Sequence, residues 1–389
     1  MRLTPRSLNR STLGRQLLLR RESLGVADGL RRLVALQAQQ PASPYLAIWN
    51  RLAGFDAADL DAAFADGTVV KATLMRITLH AAHAGDYPAF REAMQPTLRA
   101  GRLADRRFTA TGLSVGDADA LALELLEFAN QSRTAAECEA WLEQRLGALL
   151  PGAWWGLRQY APLLHAPTGG PWSFGSRPSY VAPRTRPTLA DPAASAASLK
   201  TLVLRYLAGF GPASVADVAQ FALVQRSSAR QALEALANDL ARLEGPNGEM
   251  LFDIPGAQHT DEETPAPPRL MAMWDSILLA YADRSRVIPA DYRKVVTRMN
   301  GDVLPTLLVD GYVAGVWRPV DQGVEATAFH PLPPEVWEAL AEEAQALVAF
   351  LADREPQVYR RYAHWWSKMP GAEVRVLPGP HAASRRSRA

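Results

Sequence analysis

Cysteine is nearly missing. Cys138 is the single one in 389 residues, so no disulfide can close within the chain and no cysteine-based zinc site can form. Residues 135–146 around it follow a helical pattern, which predicts an inert buried thiol rather than a nucleophile. The seven histidines are scattered. Only His80 and His83 lie close together, and no His-Glu-x-x-His run or comparable ligand spacing occurs, so neither a metal nor a cofactor is expected. No apolar run approaches the roughly 20 residues that a membrane span needs. Residues 1–32 are Arg-rich and amphipathic, without the apolar core of a secretory signal. These absences predict a cytoplasmic protein with no membrane partner. Global basicity is lacking too, since the net charge is only +2. The charge is instead segregated. Arg15, Arg20, Arg21, Arg31 and Arg32 form one positive cluster, Arg99, Arg102, Arg106 and Arg107 a second, and Arg284, Arg286, Arg293, Lys294 and Arg298 a third. Acidic residues gather at 261–263 and 335–343. Such separation permits a basic face on a near-neutral protein, although a solvated surface explains each cluster equally well.

What is present is enough for several packed units. Hydrophobic residues make up 48% of the chain, which excludes wholesale disorder, and the length suggests roughly two to four units. Residues 1–84 read as a helix at 7–18 capped by Ser7, a helix at 26–39 stopped by the effect of Pro41 on Gln40, short helices at 42–52 and 56–65, and paired strands at 69–73 and 76–81. Helices followed by a two-stranded ribbon is the order of a winged helix-turn-helix. The order recurs in residues 85–186, with helices at 86–103, 115–131, 134–146 and 151–164 and a long wing at 167–183. It recurs again in 187–264. There a Pro/Ala/Ser linker at 187–195 precedes helices at 198–208, 215–223 (capped by Ser214) and 228–240 (capped by Ser227 or Ser228), and a ribbon turns at Pro246-Asn247-Gly248. A recognition helix belongs at 228–240, with Arg226 and Arg230 near its start. In 265–380 the pattern changes to strands at 303–309, 312–318, 324–329 and 373–377 with a helix at 334–351, and Asp310-Gly311 makes the strongest hairpin signal. Residues 381–389 are a basic tail, expected to be disordered. The expected fold class is α+β, mainly α: three tandem winged helix-turn-helix domains and a C-terminal β-barrel-like domain.

The candidate chemistry lies in Leu36-Gln37-Ala38-Gln39-Gln40-Pro41. In an intact helix, side chains two apart diverge by roughly 200°; a chain that leaves the helix at Gln40 removes that objection and lets two amides converge. A polar helix end whose amides satisfy loop carbonyls is the alternative. The run Gln37-Ala38-Gln39, Ser43-Pro44-Tyr45, Ile48-Trp49-Asn50-Arg51 and Met75-Arg76-Ile77-Thr78-Leu79-His80 resembles the signature of the AlkZ/YcaQ family of winged-helix DNA glycosylases. The likeness continues through residues 274–284 and 309–317 and so spans nearly the whole chain. Within the family, Gln-x-Gln is similar to the AlkZ branch, the azinomycin-resistance glycosylases of interstrand crosslinks, and differs from the Gln-x-Asp of the YcaQ branch. Ile77 departs from the pattern, because many relatives carry Gly in an Arg-Gly-Thr-Leu-His run.

The resemblance implies a monofunctional glycosylase that hydrolyses the N-glycosidic bond of bulky N7-alkylpurines, including interstrand crosslinks. It implies Gln37 and Gln39 as the catalytic pair. N7 alkylation places a positive charge on the purine, so the base can leave without a strong general acid. Preorganised amide dipoles can stabilise the oxocarbenium-like sugar and hold a water for attack. Asn50 and Arg51 are expected to support the pair or contact the DNA backbone; a capping amide and a surface arginine are the alternative. Asp310 and Gly311 are expected to enter a groove if their hairpin protrudes, the alternative being an ordinary barrel hairpin. Trp274, Asp275, Tyr281 and Asp283 read as inter-domain packing, and His80 and His83 as half-buried strand-end residues. The expected partner is double-stranded DNA carrying such adducts, met by a monomer that is nucleoid-associated when bound. A non-catalytic winged-helix regulator is the competing class, since fold does not decide function.

Overall fold

Proline at the first turn and a threonine before it start the first helix of the computed structural model, which describes residues 2–321 and 323–380. Helix α1 is Pro5–Arg15, and its cap is Thr4, whose side chain accepts from Ser7 N. Ser7 therefore lies inside the helix, not at its cap. The next helix, Val26–Arg32, is shorter than its apolar pattern suggests. Val34 takes a left-handed φ of 72°, which ends helical geometry, and strand β1 (Ala35–Gln37) follows. The expected helix 26–39 is thus a helix and a strand. Helices Ser43–Trp49 and Ala57–Asp66 lead to strands β2 (Val69–Thr73) and β3 (Leu79–His83). Antiparallel pairing sets Gln37 opposite His80, and His80 opposite Ala72.

The second stretch is more broken than its periodicity implies. Tyr87–Ala93, Gln95–Leu98 and a π-turn at Arg99–Leu103 replace the expected helix 86–103, and a further short helix, Arg106–Thr109, follows. Val115–Phe128 and Ala135–Leu146 each begin with a capping box, Ser114 with Asp117 and Thr134 with Glu137. The long wing is a pair of strands, Leu164–Ala166 and Ser179–Val181. Its first strand pairs with β2 through Lys71 and His165, so the first two stretches share one six-stranded sheet.

The third stretch follows its sequence most closely. Asp191 caps Pro192–Phe210, which takes up part of the expected linker. Ser214 and Asp217 form the capping box of Val215–Ala222. The following helix is Arg226–Ala235, entered from Gln225 without a side-chain cap rather than from Ser227 or Ser228. The ribbon Ala241–Glu244 with Met250–Asp253 closes at the expected turn.

In the C-terminal stretch, five antiparallel strands run in the order Glu373–Pro378, Gly323–Ala328, Tyr312–Val320, Thr306–Val309, Arg269–Leu270. No ladder joins the two outer strands, so among the described residues the expected barrel is an open sheet. Helix Pro334–Ala352 explains why: it packs against both outer strands and covers the face that closure would otherwise bury. One continuous apolar core draws on all four stretches, from Leu13 through Leu121 and Leu202 to Leu377. The tail at 381–389 lies outside the described residues.

Candidate active site

Gln37 ends a strand rather than a helix, and Gln39 lies two residues further on, in a bend. The ladder of β1 extends one residue further, with Ala38 N donating to Leu79 O at 2.7 Å. On the other side of β1, Ser276 Oγ donates to Ala35 O at 3.0 Å and fixes the strand from the C-terminal stretch. Gln37 is buried and Gln39 is exposed.

The turn between β2 and β3 supplies the partner that sequence reasoning missed. Arg76 and Ile77 both adopt left-handed φ, 56° and 55°. Arg76 Nη2 donates to Gln37 Oε1 at 3.2 Å and lies 3.2 Å from His80 Nε2. Arg76 Nη1 donates to Phe221 O at 2.9 Å, which ties the turn to the end of helix Val215–Ala222. No carboxylate pairs with Arg76 among the described residues. Burial, and then the like charge of Arg284, push its guanidinium down to about 10, still cationic at neutral pH. His80 is fully buried rather than half-buried. Burial, and then the charge of Arg76, push it down to about 3, so its imidazole is neutral. Arg76 and His80 both belong to the run that carried the family resemblance, so the signal was present without a role attached.

The remaining expected site residues divide. Arg226 and Arg230 are exposed on the helix that follows Phe221. Asn50 and Arg51 are not at a DNA surface. Both are fully buried. Asn50 Nδ2 donates to Leu46 O and Leu270 O, and Arg51 forms a bidentate pair with Asp275 at 2.8 Å on each arm. A charge sealed this way cannot reach a phosphate. The hairpin tip at Asp310 and Gly311 does not protrude either. Asp310 pairs with Arg6 and Arg10 of α1, and Gly311 O accepts from Asn9 Nδ2 at 2.8 Å. A side chain at Gly311 would collide with Asn9 and Leu13, so this is a packed hairpin of the sheet.

Two further groups are set aside by geometry. Cys138 is buried, and burial raises its thiol to about 12, so it is inert at neutral pH. Lys71 is pushed down to about 8 by burial, a reactive value in principle. It pairs with Ala81, one ladder step from the Gln37–His80–Ala72 row, and so points to the opposite face of the sheet. Among the described residues no three metal-ligating side chains cluster, and no helix is long and apolar enough to cross a membrane.

A family model, the AlkZ-like DNA glycosylases, matches residues 30–350. The chain belongs to this family. It is a DNA glycosylase, a hydrolase acting on N-glycosyl bonds. This glycosylase is 25% identical over 345 residues to an interstrand DNA cross-link repair glycosylase of Streptomyces sahachiroi, a match covering 81% of this chain and 88% of the relative. It also shares the fold of Streptomyces sahachiroi DNA glycosylase AlkZ, with a TM-score of 0.76 at 22% identity, over 91% of this chain and 98% of that one.

Proposed function

We propose that this glycosylase excises bulky N7-alkylpurines from duplex DNA, interstrand crosslinks among them, with Gln37 and Gln39 as its catalytic pair. The observation that carries the reading is that the described side chains around Gln37 offer no general acid. Gln37 and Gln39 are neutral amides, Arg76 keeps its proton at neutral pH, and His80 is held unprotonated. None of the four can protonate a departing base near pH 7. Only a purine already made cationic by alkylation leaves readily under those terms. The amide dipoles then stabilise the oxocarbenium-like sugar and position the water that attacks it. Lys71 lies on the far face of the sheet, which supports hydrolysis without a Schiff base. The crosslink assignment is supported by the name of the Streptomyces sahachiroi relative.

DNA engagement is assigned to the helix Arg226–Ala235, the second helix of a helix-turn-helix followed by a ribbon. We read the three helix-plus-ribbon stretches as winged helices and the protein as a monomer acting on cytoplasmic, nucleoid DNA. The deciding experiment incubates the protein with a duplex carrying one N7-alkylguanine and then cleaves abasic sites with alkali. Strand scission at the lesion, and none in an unmodified duplex, is expected. Equal release of unmodified guanine would overturn the reading, because it demands an acid that the described side chains around Gln37 do not offer. A crosslinked duplex resolved on a denaturing gel tests the bulky class directly.

A further inference from the structure

Arginine has donors and no acceptor, and this fixes more of the site than the distances alone. The amide end of Gln37 facing Arg76 must be its oxygen. The His80 Nε2 facing the same Nη2 must be the bare acceptor, so the ring proton sits on Nδ1, where it donates to Thr78 O at 3.0 Å. Gln37 Nε2 has no protein partner among the described residues and is not sealed from solvent. The inward end of the Gln37 amide is therefore its acceptor, and the outward end is its donor. Gln39, exposed and without a side-chain partner among the described residues, keeps its carbonyl free.

We propose that Arg76 is the positioning residue of the glutamine pair: it locks Gln37 carbonyl-inward, so that Gln37 presents N–H donors to the reaction and Gln39 supplies the carbonyl that holds the water. This rests on the catalytic reading of the pair and assigns the two amides different work. A donor at position 37 suits the oxygen of the water, whereas an acceptor at position 39 suits the water's proton and the developing cation. The lock has three anchors. The left-handed turn aims Arg76 inward, the Phe221 carbonyl holds its other arm, and the neutral His80 shares Nη2. The charged and titratable groups around it are Arg284 and Tyr206 facing Arg76, and Arg76 itself facing His80.

The test combines single-turnover kinetics on the N7-alkylguanine duplex with nitrogen-15 NMR of the histidines. Arg76→Ala is expected to slow base release by about 10- to 100-fold, a cost typical of a misplaced reacting group, while DNA affinity changes by less than about threefold. Arg76→Lys, which keeps one donor, should restore most of the rate. The wild-type rate should be flat from pH 5.5 to 8.5, and His80 should stay neutral over that range in Arg76→Ala too, because burial is the larger of the two causes that hold it down. In the wild-type protein, His80 should appear as the neutral Nδ1–H tautomer down to pH 5. A His80 that titrates near 6.5 in the wild type overturns the proposal, whether or not the alanine variant folds. So does a wild-type rate in Arg76→Ala. If Gln37→Ala and Gln39→Ala also run at the wild-type rate, the catalytic reading itself fails; if they are slow while Arg76→Ala is not, only the role of Arg76 falls.

Discussion

Arg51 and Arg76 are both drawn into the interior, and they meet different company there. Arg51 is sealed, with both arms on Asp275 and further bonds to Gln16 O and Ala47 O. Its charge is answered, and its work is to fasten the first stretch to the C-terminal one. Arg76 has a carbonyl, an amide and an imidazole but no carboxylate. Its charge is unmatched by any carboxylate among the described residues, and its donors orient Gln37. A buried arginine is thus a fastener when its charge is matched and a candidate site residue when it is not.

The largest effect expected from this contrast is on stability. Arg51→Ala should cost about 3–5 kcal/mol, because it leaves Asp275 buried and uncompensated; denaturant titration measures it. Loss of activity in a variant of unchanged stability would break the comparison. On the catalytic side, Gln37→Ala and Gln39→Ala should each slow base release by about 10²–10³, or about 2.7–4 kcal/mol, without abolishing DNA binding. The double variant should lose less than the product of the two. Gln39→Glu sharpens the division of labour, since a carboxylate is a better acceptor and should retain the chemical step while phosphate repulsion weakens binding.

Acid should act through the imidazoles. His80 and His165 are each pushed by burial to about 3 from an ordinary 6.5. The unfolded chain binds their protons first, so stability is intact above pH 6.5 and is lost as pH falls from there toward 3. At pH 5 the loss is on the order of 2 kcal/mol per histidine. Asparagine at His80 should remove part of that slope in a melting series. A smaller effect is expected from Arg226→Ala with Arg230→Ala: a weaker and flatter salt dependence of DNA binding, by about one unit of slope per lost phosphate contact. An unchanged slope removes that helix from the interface. Smallest of all is Ile77→Gly. It relieves left-handed strain worth roughly 1–2 kcal/mol and forfeits a half-buried side chain that walls a cavity of about 1020 Å³ with Thr97, Leu199 and Leu223. The two nearly cancel, so calorimetry should find a net change within about 1 kcal/mol, while Ile77→Ala loses packing and keeps the strain.

Local rules were legible where local interactions decide. The cap at Ser214, the ribbon turning at Asn247-Gly248 and the Asp310-Gly311 turn all formed where their residue types place them. The setting of Gln37 was misread as a helix end. Residues 33–36 are apolar without a period, and only the ladder to β3 makes 35–37 a strand. Arg51 looked like a surface arginine because Asp275 is 224 positions away. Whether the Asp310 hairpin protrudes stayed open for the same reason, since Arg6 and Arg10 lie about 300 positions away. The role of Arg76 depends on two left-handed residues, a conformation that Ile77 gives no hint of.

The open C-terminal sheet also leaves the molecule with a raw edge. Its last strand, Glu373–Pro378, is paired only on the side of Gly323–Ala328, and Val374 and Val376 on it are more than half exposed, at 58% and 52%. An outermost strand with exposed valines is a template for a second chain. What discourages that is local: Glu373 and Arg375 pair across one step of the strand, and Pro378 ends it without a donor. Replacing Arg375 with valine would leave three consecutive valines on a free edge, and self-association into aggregates, rather than any loss of folding or chemistry, is the failure this glycosylase would then show.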